Sequence, residues 1–464
     1  MTDRPVRVRM APSPTGFFHV GSVRASLYNW LYAKQQHGTF VLRIEDTDAE
    51  RNREEWVDLI YDTLRWLGLE WDELYRQSER ADLYASAAAK LEADGAAYWC
   101  DCTRDDVDAR AKERGGPPGY DGFCRDRDLG PGEGRALRFR TPDTGTTVVH
   151  DVVRGDPSFE NASLEDFVLV RSNGAAIFLL ANVVDDGDMR ITHVIRGDDH
   201  LPNTPKYLLL WDALGYGEHP VFAHMPMIVN EKRQKLSKRR DPVAVEQYRD
   251  EGYLPEVLVN YLALVGWSPP DGRERMTVDD MIEVFRLEDI GKSAGFFDVA
   301  KLRAFNGDTI RELSVEDFID RAMPFVRRET WGELADVEVF RRLAPLVQER
   351  VAVLGEVPAM VDFIFLDEPV DDEASWAKAM KDGAAQILDA TAAAYADVEW
   401  SAEALKDALV AVGEGLDLKL AKTQAPVRVA VTGRTVGPPL FESLEVLGRE
   451  ATLARIAAAR ARLP

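Results

Sequence analysis

The first part of the chain alternates between short strand-like runs and amphipathic segments. An alternating run, Val6–Met10, precedes a Pro/Gly-rich turn, and apolar residues then recur at helical spacing over Val23–Gly38. A second strand-like run covers Thr39–Asp48, and Arg53–Gly68 again shows helical spacing. Strand, helix, strand and helix in this order predict a parallel α/β sheet.

The pattern changes near Tyr98, where Gly and Pro breaks and all three cysteines of the chain occur. Short strand-like runs follow, which predicts an insertion of α+β character before the parallel sheet resumes. The helix Leu201–Gly215 is bounded by prolines. The later predicted strands are Gly134–Arg140 and Thr146–Gly155 in the insertion, and Ala175–Asp186 and Arg190–His200 in the resumed sheet.

From about Val243 onward the pattern is mostly helical. The predicted fold class is therefore α/β: a Rossmann-like parallel-sheet domain with an α+β insertion, followed by an all-α C-terminal region. The predicted boundaries are 1–97 for the first half of the parallel-sheet domain, 98–174 for the insertion, 175–242 for the second half, 243–311 for a helical region and 312–464 for an all-helical domain.

Composition is typical of a globular protein, with 464 residues that are 45% hydrophobic and 30% charged. The longest apolar stretch, Val257–Trp267, is too short to span a bilayer and contains Asn260. No charged-then-apolar leader precedes the first strand, so we expect neither a signal peptide nor a membrane partner. Three cysteines are too few for a disulfide framework, which predicts a cytoplasmic location.

The net charge is acidic, since 57 Lys and Arg stand against 80 Asp and Glu, and 57 − 80 = −23. This balance argues against a protein coated with nucleic acid, although a local basic patch can still bind RNA. We interpret the acidic excess as an aid to solubility.

Two segments carry candidate phosphate chemistry. The turn Ala11–Ser22 lies between a strand and a helix, where backbone N–H groups favour an anion, and it offers Gly16, Gly21 and the donor His19. It matches neither the Walker A nor the dinucleotide-binding glycine pattern, and a capped turn with an incidental histidine is the alternative. Far downstream lies a basic run, Val229–Val243. One interpretation is a loop that clamps a triphosphate, and the other is a solvated surface run.

Together, "HVGS" (His19–Ser22) and "KLSKR" (Lys235–Arg239) resemble the two signatures of class I aminoacyl-tRNA synthetases. The finer resemblance is to bacterial glutamyl-tRNA synthetases. It is carried, in the family's order, by "RMAPSPTGFFHVGS", "LRIEDTD", "LANVVDD", "ITHVIRGDDHLPNTP" and "QKLSKR". Val427–Gly448 is similar to the family's anticodon-binding domain, so the resemblance covers nearly the whole chain.

The resemblance implies a ligase that joins L-glutamate to tRNA(Glu) in two steps. Glutamate attacks the α-phosphate of ATP, which is bound with Mg²⁺, and the terminal ribose 2′-hydroxyl of the tRNA then attacks the glutamyl-adenylate. By position in the family, 98–174 would bind the acceptor end, 243–311 would contact the stem and 312–464 would bind the anticodon. We also expect a monomer, and the sequence leaves open whether tRNA(Gln) is a second substrate.

The resemblance also assigns roles to single residues. Arg9 and Arg196 would face the side-chain carboxylate, which suits the planar fork of arginine. Phe178 departs from the family, which commonly has tyrosine there. The other predicted amino acid-binding residues are Ala11, Ser13, Glu45 (toward the α-amino group) and Asn182. The predicted ATP-binding residues are His19, Gly21, Lys235, Leu236, Ser237 and Lys238, with His19, Lys235 and Lys238 as the catalytic ones.

The cysteines resemble the zinc-binding insertion of the family. Cys100, Cys102 and Cys124 would be three ligands of a structural Zn²⁺. The fourth position, commonly histidine, is Asp126 here, and Tyr120 is the alternative ligand, since a related truncated family uses a tyrosine at such spacing. Three reduced thiols in a metal-free loop remain the other interpretation.

Four other functions remain open at this point. A paralogue that glutamylates a modified tRNA base would lack the roughly 150 residues after Ile310. A synthetase specific for glutamine is the second alternative, but "RGDDH" and "QKLSKR" resemble the bacterial glutamyl pattern more closely. A non-catalytic tRNA-binding module would not need His19, Lys238 or Arg196. A nucleotidyltransferase would not need the C-terminal helices, whose basic residues Lys419, Lys422, Arg428 and Arg434 are candidates for phosphate contact or ordinary surface charge.

Overall fold

The structure is a computed structural model that describes residues 4–48, 50–115, 119–236 and 243–464. The chain forms two compact units. The first comprises Met1–Gln247 and Leu258–Asp298, and the second comprises Tyr248–Val257 and Val299–Pro464. All strands of the described residues lie in the first unit. The finer domain boundaries stay predictions.

The strands pair mainly in a parallel sense around the centre of the first unit. β1, β2 and β3 form one parallel sheet in the spatial order β1–β2–β3, and β9 pairs with β10 in a second. The strands are β1 Arg7–Met10, β2 Thr39–Ile44, β3 Glu73–Arg76, β4 Ala97–Cys100, β5 Ala136–Phe139, β6 Thr146–Val148, β7 Ser158–Glu160, β8 Val168–Val170, β9 His193–Gly197, β10 Val221–Met225, β11 Ile228–Val229 and β12 Gly295–Phe296.

The two parallel sheets meet at β1. The amide of Thr192, just before β9, donates a hydrogen bond to the Arg7 carbonyl at 2.9 Å. The five strands therefore follow the spatial order β3–β2–β1–β9–β10. Across the sheet the strand numbers first fall, from β3 to β1, and then rise, from β9 to β10, so the order of connection reverses between β1 and β9. Open α/β sheets bind ligands at the carboxyl ends of strands beside such a reversal.

Helices connect the strands of the first unit. The first helix begins three residues earlier than predicted, at Val20, because His19 caps it. The helices up to the end of this unit are α1 Val20–Gln35, α2 Glu54–Trp66, α3 Ala81–Ala93, α4 Arg104–Arg114, α5 Phe178–Asp188, α6 Thr204–Leu214, α7 Val245–Glu251, α8 Pro255–Leu264 and α9 Val278–Val284.

Two strand predictions were wrong. The run Ala175–Asp186 forms helix α5 over Phe178–Asp188, and only Thr146–Val148 of the run Thr146–Gly155 is a strand. The residues Leu179 to Asp186 are all buried, so the run shows no polar face. An uninterrupted buried run looks the same for a strand and for a buried helix, which is why periodicity failed here.

The insertion shares its core with the parallel-sheet layer. Its antiparallel sheet has the order β4–β5–β8. Leu137 and Phe139 of β5 belong to one buried cluster with Leu91 of α3, Val183 of α5 and Trp211 of α6. The insertion is therefore packed onto the helices that support the parallel strands.

The second unit is helical throughout its described residues. Its core includes Leu388, Tyr395, Leu409, Val427 and Ile456. Across the described ranges, every helix falls short of the length and hydropathy that a membrane crossing requires. The remaining helices are α10 Val299–Glu312, α11 Val315–Arg327, α12 Val337–Gln348, α13 Val357–Phe365, α14 Glu373–Ala379, α15 Ala384–Tyr395, α16 Ala402–Gly415, α17 Leu420–Thr432, α18 Leu440–Leu447 and α19 Arg449–Ala461.

Candidate active site

One cavity of about 560 Å³ lies at the carboxyl ends of β1, β2 and β9. The predicted site residues that line it are Arg9, Ala11, Ser13, His19, Gly21, Glu45, Phe178, Asn182, Arg196, Lys235 and Leu236. Ser237 and Lys238 lie outside the described residues. The structure therefore brings together every predicted amino acid-binding residue and four of the six predicted ATP-binding residues.

Arg9 is fixed at the end of β1 by a carboxylate from α5. Its Nε lies 3.1 Å from Asp186 Oδ1, and its Nη2 lies 3.2 Å from Asp186 Oδ2. Both side chains are buried, with 4% and 0% exposure. Because Asp186 occupies the Nε side of the guanidinium, Nη1 of Arg9 is the group left to meet a ligand.

Arg43 on β2 joins this ion pair to the rest of the cavity. Its Nη1 donates to Asp186 Oδ1 at 2.6 Å, and its Nη2 donates to Asn182 Oδ1 at 2.8 Å. The Asn182 amide in turn donates to Glu45 Oε1 at 2.8 Å. Burial raises the pKa of Glu45, although the nearby arginines oppose it. The network holds the Glu45 carboxylate at the cavity wall, where it would accept from an ammonium group.

Arg196 at the end of β9 is held differently. Its Nη2 donates to Thr204 Oγ1 at 2.9 Å, and its Nε donates to His224 Nε2 at 3.2 Å. Among the described residues, no carboxylate lies within 4.0 Å of its guanidinium. Burial and the nearby Arg9 lower the pKa of Arg196 to about 10. A buried guanidinium without a carboxylate partner favours binding of an anion.

The N-terminus of α1 faces the same cavity. His19 is the cap residue: its Nδ1 accepts from the Ser22 amide at 3.1 Å. Since Nδ1 accepts, the ring proton of the neutral imidazole is on Nε2, which lies 3.1 Å from Ser22 Oγ. Gly21 leaves room for this ring, because a Cβ there would lie 3.0 Å from His19 Nδ1. His19 therefore caps the helix through Nδ1 and directs its Nε2–H at Ser22 Oγ, at the wall of the cavity.

Backbone pairing brings the basic segment to this helix end. On one side Val229 pairs with Lys235, and on the other Val243 accepts a hydrogen bond from the Val20 amide at 2.9 Å. Lys235 Nζ lies 3.5 Å from Asp199, and both side chains are more than half exposed. The residues that flank the undescribed 237–242 thus sit at the mouth of the cavity beside His19.

Phe178 lies on the cavity wall at the start of α5. Its ring stacks on His200 with centroids 5.7 Å apart, and the residue is 42% exposed. A phenylalanine here supplies an apolar surface without the hydroxyl that a tyrosine would add.

Comparisons with known proteins agree with this geometry. Residues 5–304 match the family described as "tRNA synthetases class I (E and Q), catalytic domain", and residues 317–460 match "Anticodon binding domain". The glutamate–tRNA ligase of Salinispora arenicola is 57% identical, with 99% of this chain and 100% of that protein covered, and the one from Frankia alni is 58% identical, with 99% and 98% covered. The chain belongs to the class I tRNA synthetase (E and Q) family.

A solved structure of this synthetase family confirms the fold class. The glutamate tRNA ligase from Elizabethkingia meningosepticum, described as a complex with its amino acid, superposes with a TM-score of 0.85 at 32% identity, covering 99% of this chain and 100% of that chain. The parallel-sheet catalytic domain and the helical C-terminal region are therefore as predicted.

Sequence reasoning missed the charged residues behind the pocket of this synthetase. Arg43 and Asp186 are fully buried and hold Arg9 and Asn182 in place, yet neither was predicted as a site residue. A signal existed for Arg43, since it interrupts an otherwise apolar strand between Leu42 and Ile44. Asp186 was hidden because its run was read as a strand.

The three cysteines form a separate cluster in the insertion. The Sγ atoms of Cys100, Cys102 and Cys124 all lie within 4.8 Å of one another, and none forms a disulfide. Arg110 Nη2 lies 3.1 Å from Cys102 Sγ, and Arg127 Nη1 lies 3.3 Å from Cys124 Sγ. Burial raises the pKa of Cys102 to about 12, with Arg110 opposing this shift. A bound metal ion would favour the thiolates, which are the metal-binding form of cysteine.

The two candidate fourth ligands are placed differently. The structure does not bring Asp126 to the thiols: its side chain is 87% exposed and pairs with Arg140 at 3.1 Å. Tyr120 is buried with Cys100 and Cys124, and its hydroxyl accepts from the Cys124 amide at 2.7 Å. The structure therefore brings the three thiols together as candidate metal ligands. Tyr120, buried beside them, stays the candidate for the fourth.

Proposed function

We propose that the protein is a glutamate–tRNA ligase that attaches L-glutamate to the 3′ end of tRNA, using ATP, through a glutamyl-adenylate. The observation that carries the proposal is the cavity in which two buried arginines lie beside the N-terminus of α1. Support comes from relatives named glutamate–tRNA ligase that match over the full chain.

The arginines account for the choice of amino acid. Nη1 of Arg9 and the free N–H groups of Arg196 would donate to the side-chain carboxylate of glutamate, while Glu45 would accept from its α-amino group. Ala11, Ser13, Phe178 and Asn182 would line the pocket. A glutamine amide would turn N–H groups toward these donors, so its binding would cost several hydrogen bonds.

ATP would bind at the other end of the cavity, with Mg²⁺ neutralising its phosphates. The helix N-terminus and Gly21 would approach the phosphates closely, and His19 Nε2–H would donate to them. Lys235 with Leu236, and the undescribed Ser237 and Lys238, would cover the triphosphate. The glutamate carboxylate then attacks the α-phosphate and pyrophosphate leaves.

The tRNA would meet both units, with residues 98–174 at its acceptor end, 243–311 at its stem and 312–464 at its anticodon. The terminal ribose 2′-hydroxyl of tRNA(Glu) would attack the adenylate. In the last region Lys419 and Lys422 remain candidates for phosphate contact, whereas Arg428 donates to the Pro438 carbonyl at 2.7 Å and Arg434 to Asp362 at 2.6 Å. A monomeric state, a cytoplasmic location and activity on tRNA(Gln) stay predictions.

The test is aminoacylation of purified tRNA(Glu) and tRNA(Gln) with labelled glutamate. We expect transfer to tRNA(Glu) that depends on ATP and Mg²⁺. Label on tRNA(Gln) as well would extend the substrate range, and no transfer to either tRNA would contradict the proposal.

We also propose that the cysteine cluster holds one structural Zn²⁺ through Cys100, Cys102, Cys124 and Tyr120. Such an ion would cross-link the start of the insertion to its central loop. Metal analysis of the purified protein should give about one zinc per chain. Tyr120→Phe should lower the zinc content, whereas Asp126→Asn should leave it unchanged. The reverse pattern would make Asp126 the ligand.

A further inference from the structure

We infer that Asp151 and His224 position Arg196 so that the pocket selects a carboxylate side chain over an amide. This makes His224 a specificity-determining residue that acts through Arg196. The inference rests on the proposed function and deepens it, because it names what holds the arginine that reads the substrate.

The sheet itself brings these residues together. Arg196 on β9 and His224 on β10 are register partners in the parallel pair, so their side chains project from the same face. The turn that begins at Asp151 runs along the other edge of β10, where the Val152 amide donates to the Phe222 carbonyl at 2.8 Å. A residue from the insertion therefore reaches the strand behind the amino acid pocket.

Asp151 is surrounded by donors. Its Oδ1 accepts from the amides of Val153 at 2.9 Å and Arg154 at 2.6 Å. Its Oδ2 accepts from the His224 amide at 3.0 Å and from His224 Nδ1 at 2.5 Å. The side chains of Asp151 and His224 are fully buried. Within the described ranges, each hydrogen bond to the carboxylate comes from an N–H group, and this places a proton on Nδ1 of His224.

The tautomer of His224 follows and determines the next contact. Burial lowers the pKa of His224, although Asp151 opposes this, so the ring is neutral near pH 7. With its proton on Nδ1, the ring presents a lone pair at Nε2, and Arg196 Nε donates to it at 3.2 Å. Thr204 Oγ1 lies 3.0 Å from the same Nε2 and accepts from Arg196 Nη2. The chain Asp151–His224–Arg196 leaves Nη1 of the guanidinium for the substrate.

A comparison with Arg9 shows why this matters for specificity. Both arginines are held through Nε and Nη2, but Arg9 is held by the carboxylate of Asp186 and Arg196 by a neutral ring and a hydroxyl. The charge of Arg9 is therefore already balanced, whereas the charge of Arg196 is not. A positioning group that is neutral keeps the pocket cationic, which favours glutamate over glutamine.

The test compares His224→Leu with His224→Gln in steady-state aminoacylation. Leucine removes the acceptor that Arg196 uses, and we expect the KM for glutamate to rise by at least about tenfold while kcat and the KM for ATP change by less than about twofold. The preference for glutamate over glutamine should fall by a similar factor. Glutamine at position 224 keeps an acceptor oxygen, so it should restore most of the lost affinity.

His219→Leu is the matched control, because His219 forms an exposed pair with Asp212 at 2.6 Å. It should behave as the wild type. An unchanged KM for glutamate in His224→Leu, an equal change in all three constants, or a failure of His224→Gln to restore affinity would each overturn the inference. If the leucine variant does not fold, Asp151→Asn replaces it, and an unchanged glutamate KM there has the same meaning.

The proposed function and the positioning role of His224 can fail separately. Wild-type protein that charges no tRNA with glutamate overturns the proposed function and the inference with it. Wild-type protein that charges tRNA normally, together with an unaffected His224→Leu variant, overturns the inference alone.

Discussion

The two ends of the active-site cavity are built on opposite principles. At the amino acid end, Arg9, Arg43 and Asp186 are at most 4% exposed and make several charge-assisted hydrogen bonds with one another. At the phosphate end, Lys235 and Asp199 are 61% and 53% exposed and lie 3.5 Å apart. The buried end is held by hydrogen bonds within the protein, whereas the charged side chains at the exposed end are largely surrounded by solvent.

The difference follows from what each end must recognise. Selecting a carboxylate over an amide of the same shape requires donors that cannot adapt to the wrong group, and burial supplies that rigidity. Holding a triphosphate that changes shape as pyrophosphate leaves requires mobile cations instead. Mutations at the buried end should therefore affect folding and glutamate affinity, and mutations at the exposed end should affect the rate of activation.

The largest effect should come from Asp186→Asn. The change removes the charge that balances Arg9 and Arg43, and we expect a loss of about 3–5 kcal/mol in the free energy of unfolding. Burial raises the pKa of Asp186, but Arg9 and Arg43 outweigh this and lower it from 3.8 to about 2. The stabilisation is therefore present above pH about 4 and is lost as the pH falls toward 2. Urea denaturation of the wild type and the variant at several pH values measures both the loss of stability and its pH dependence.

Asp188→Asn is the control for that change. Asp188 lies on the same helix and pairs with Arg80, but its side chain is 51% exposed. It should cost about 1 kcal/mol or less. Equal losses in the two variants would show that the buried network does not stabilise the fold.

An intermediate effect should come from Lys238→Ala, which tests the predicted role of this residue at the ATP phosphates. Loss of one cation on the triphosphate should slow glutamate activation by about 10- to 100-fold and leave the KM for glutamate nearly unchanged. ATP–pyrophosphate exchange in the presence of tRNA measures this, with the exposed Lys292→Ala as the control. A normal exchange rate in the Lys238→Ala variant would show that Lys238 does not act at the ATP site.

The smallest effect should come from Phe178→Tyr. The added hydroxyl would restore the hydrogen bond that the family commonly has at this position, worth about 0.5–1.5 kcal/mol. We expect the KM for glutamate to fall by about 2- to 12-fold with kcat unchanged. A higher KM would mean that the cavity wall beside His200 has no room for the hydroxyl.

Much of the fold could be predicted from periodicity and from the turns between elements. Helix α2 is amphipathic, and the strand Thr39–Ile44 follows a clear turn. Helix α5 could not be predicted, because its residues Leu179 to Asp186 are buried on all sides. Asp185 and Asp186 of this helix carry charge into the core, and only the folded chain shows which arginines neutralise them.

The residues of the candidate site also divide into those that could be predicted from the sequence and those that could not. Residues proposed to contact substrate, such as Arg9, His19 and Arg196, line the cavity, lie in short motifs and could be found from sequence. Residues that hold them, such as Asp186 and His224, come from other elements and carry no motif. Their roles depend on strand register and helix packing, which a single sequence does not contain.

The most direct test of the account is the preference for glutamate over glutamine, measured as the ratio of kcat/KM values in wild-type protein and in Arg196→Gln. We expect the wild type to prefer glutamate by at least about 1000-fold and the variant to lose at least about 100-fold of that preference. A variant that retains the wild-type preference would show that Arg196 does not read the side-chain carboxylate.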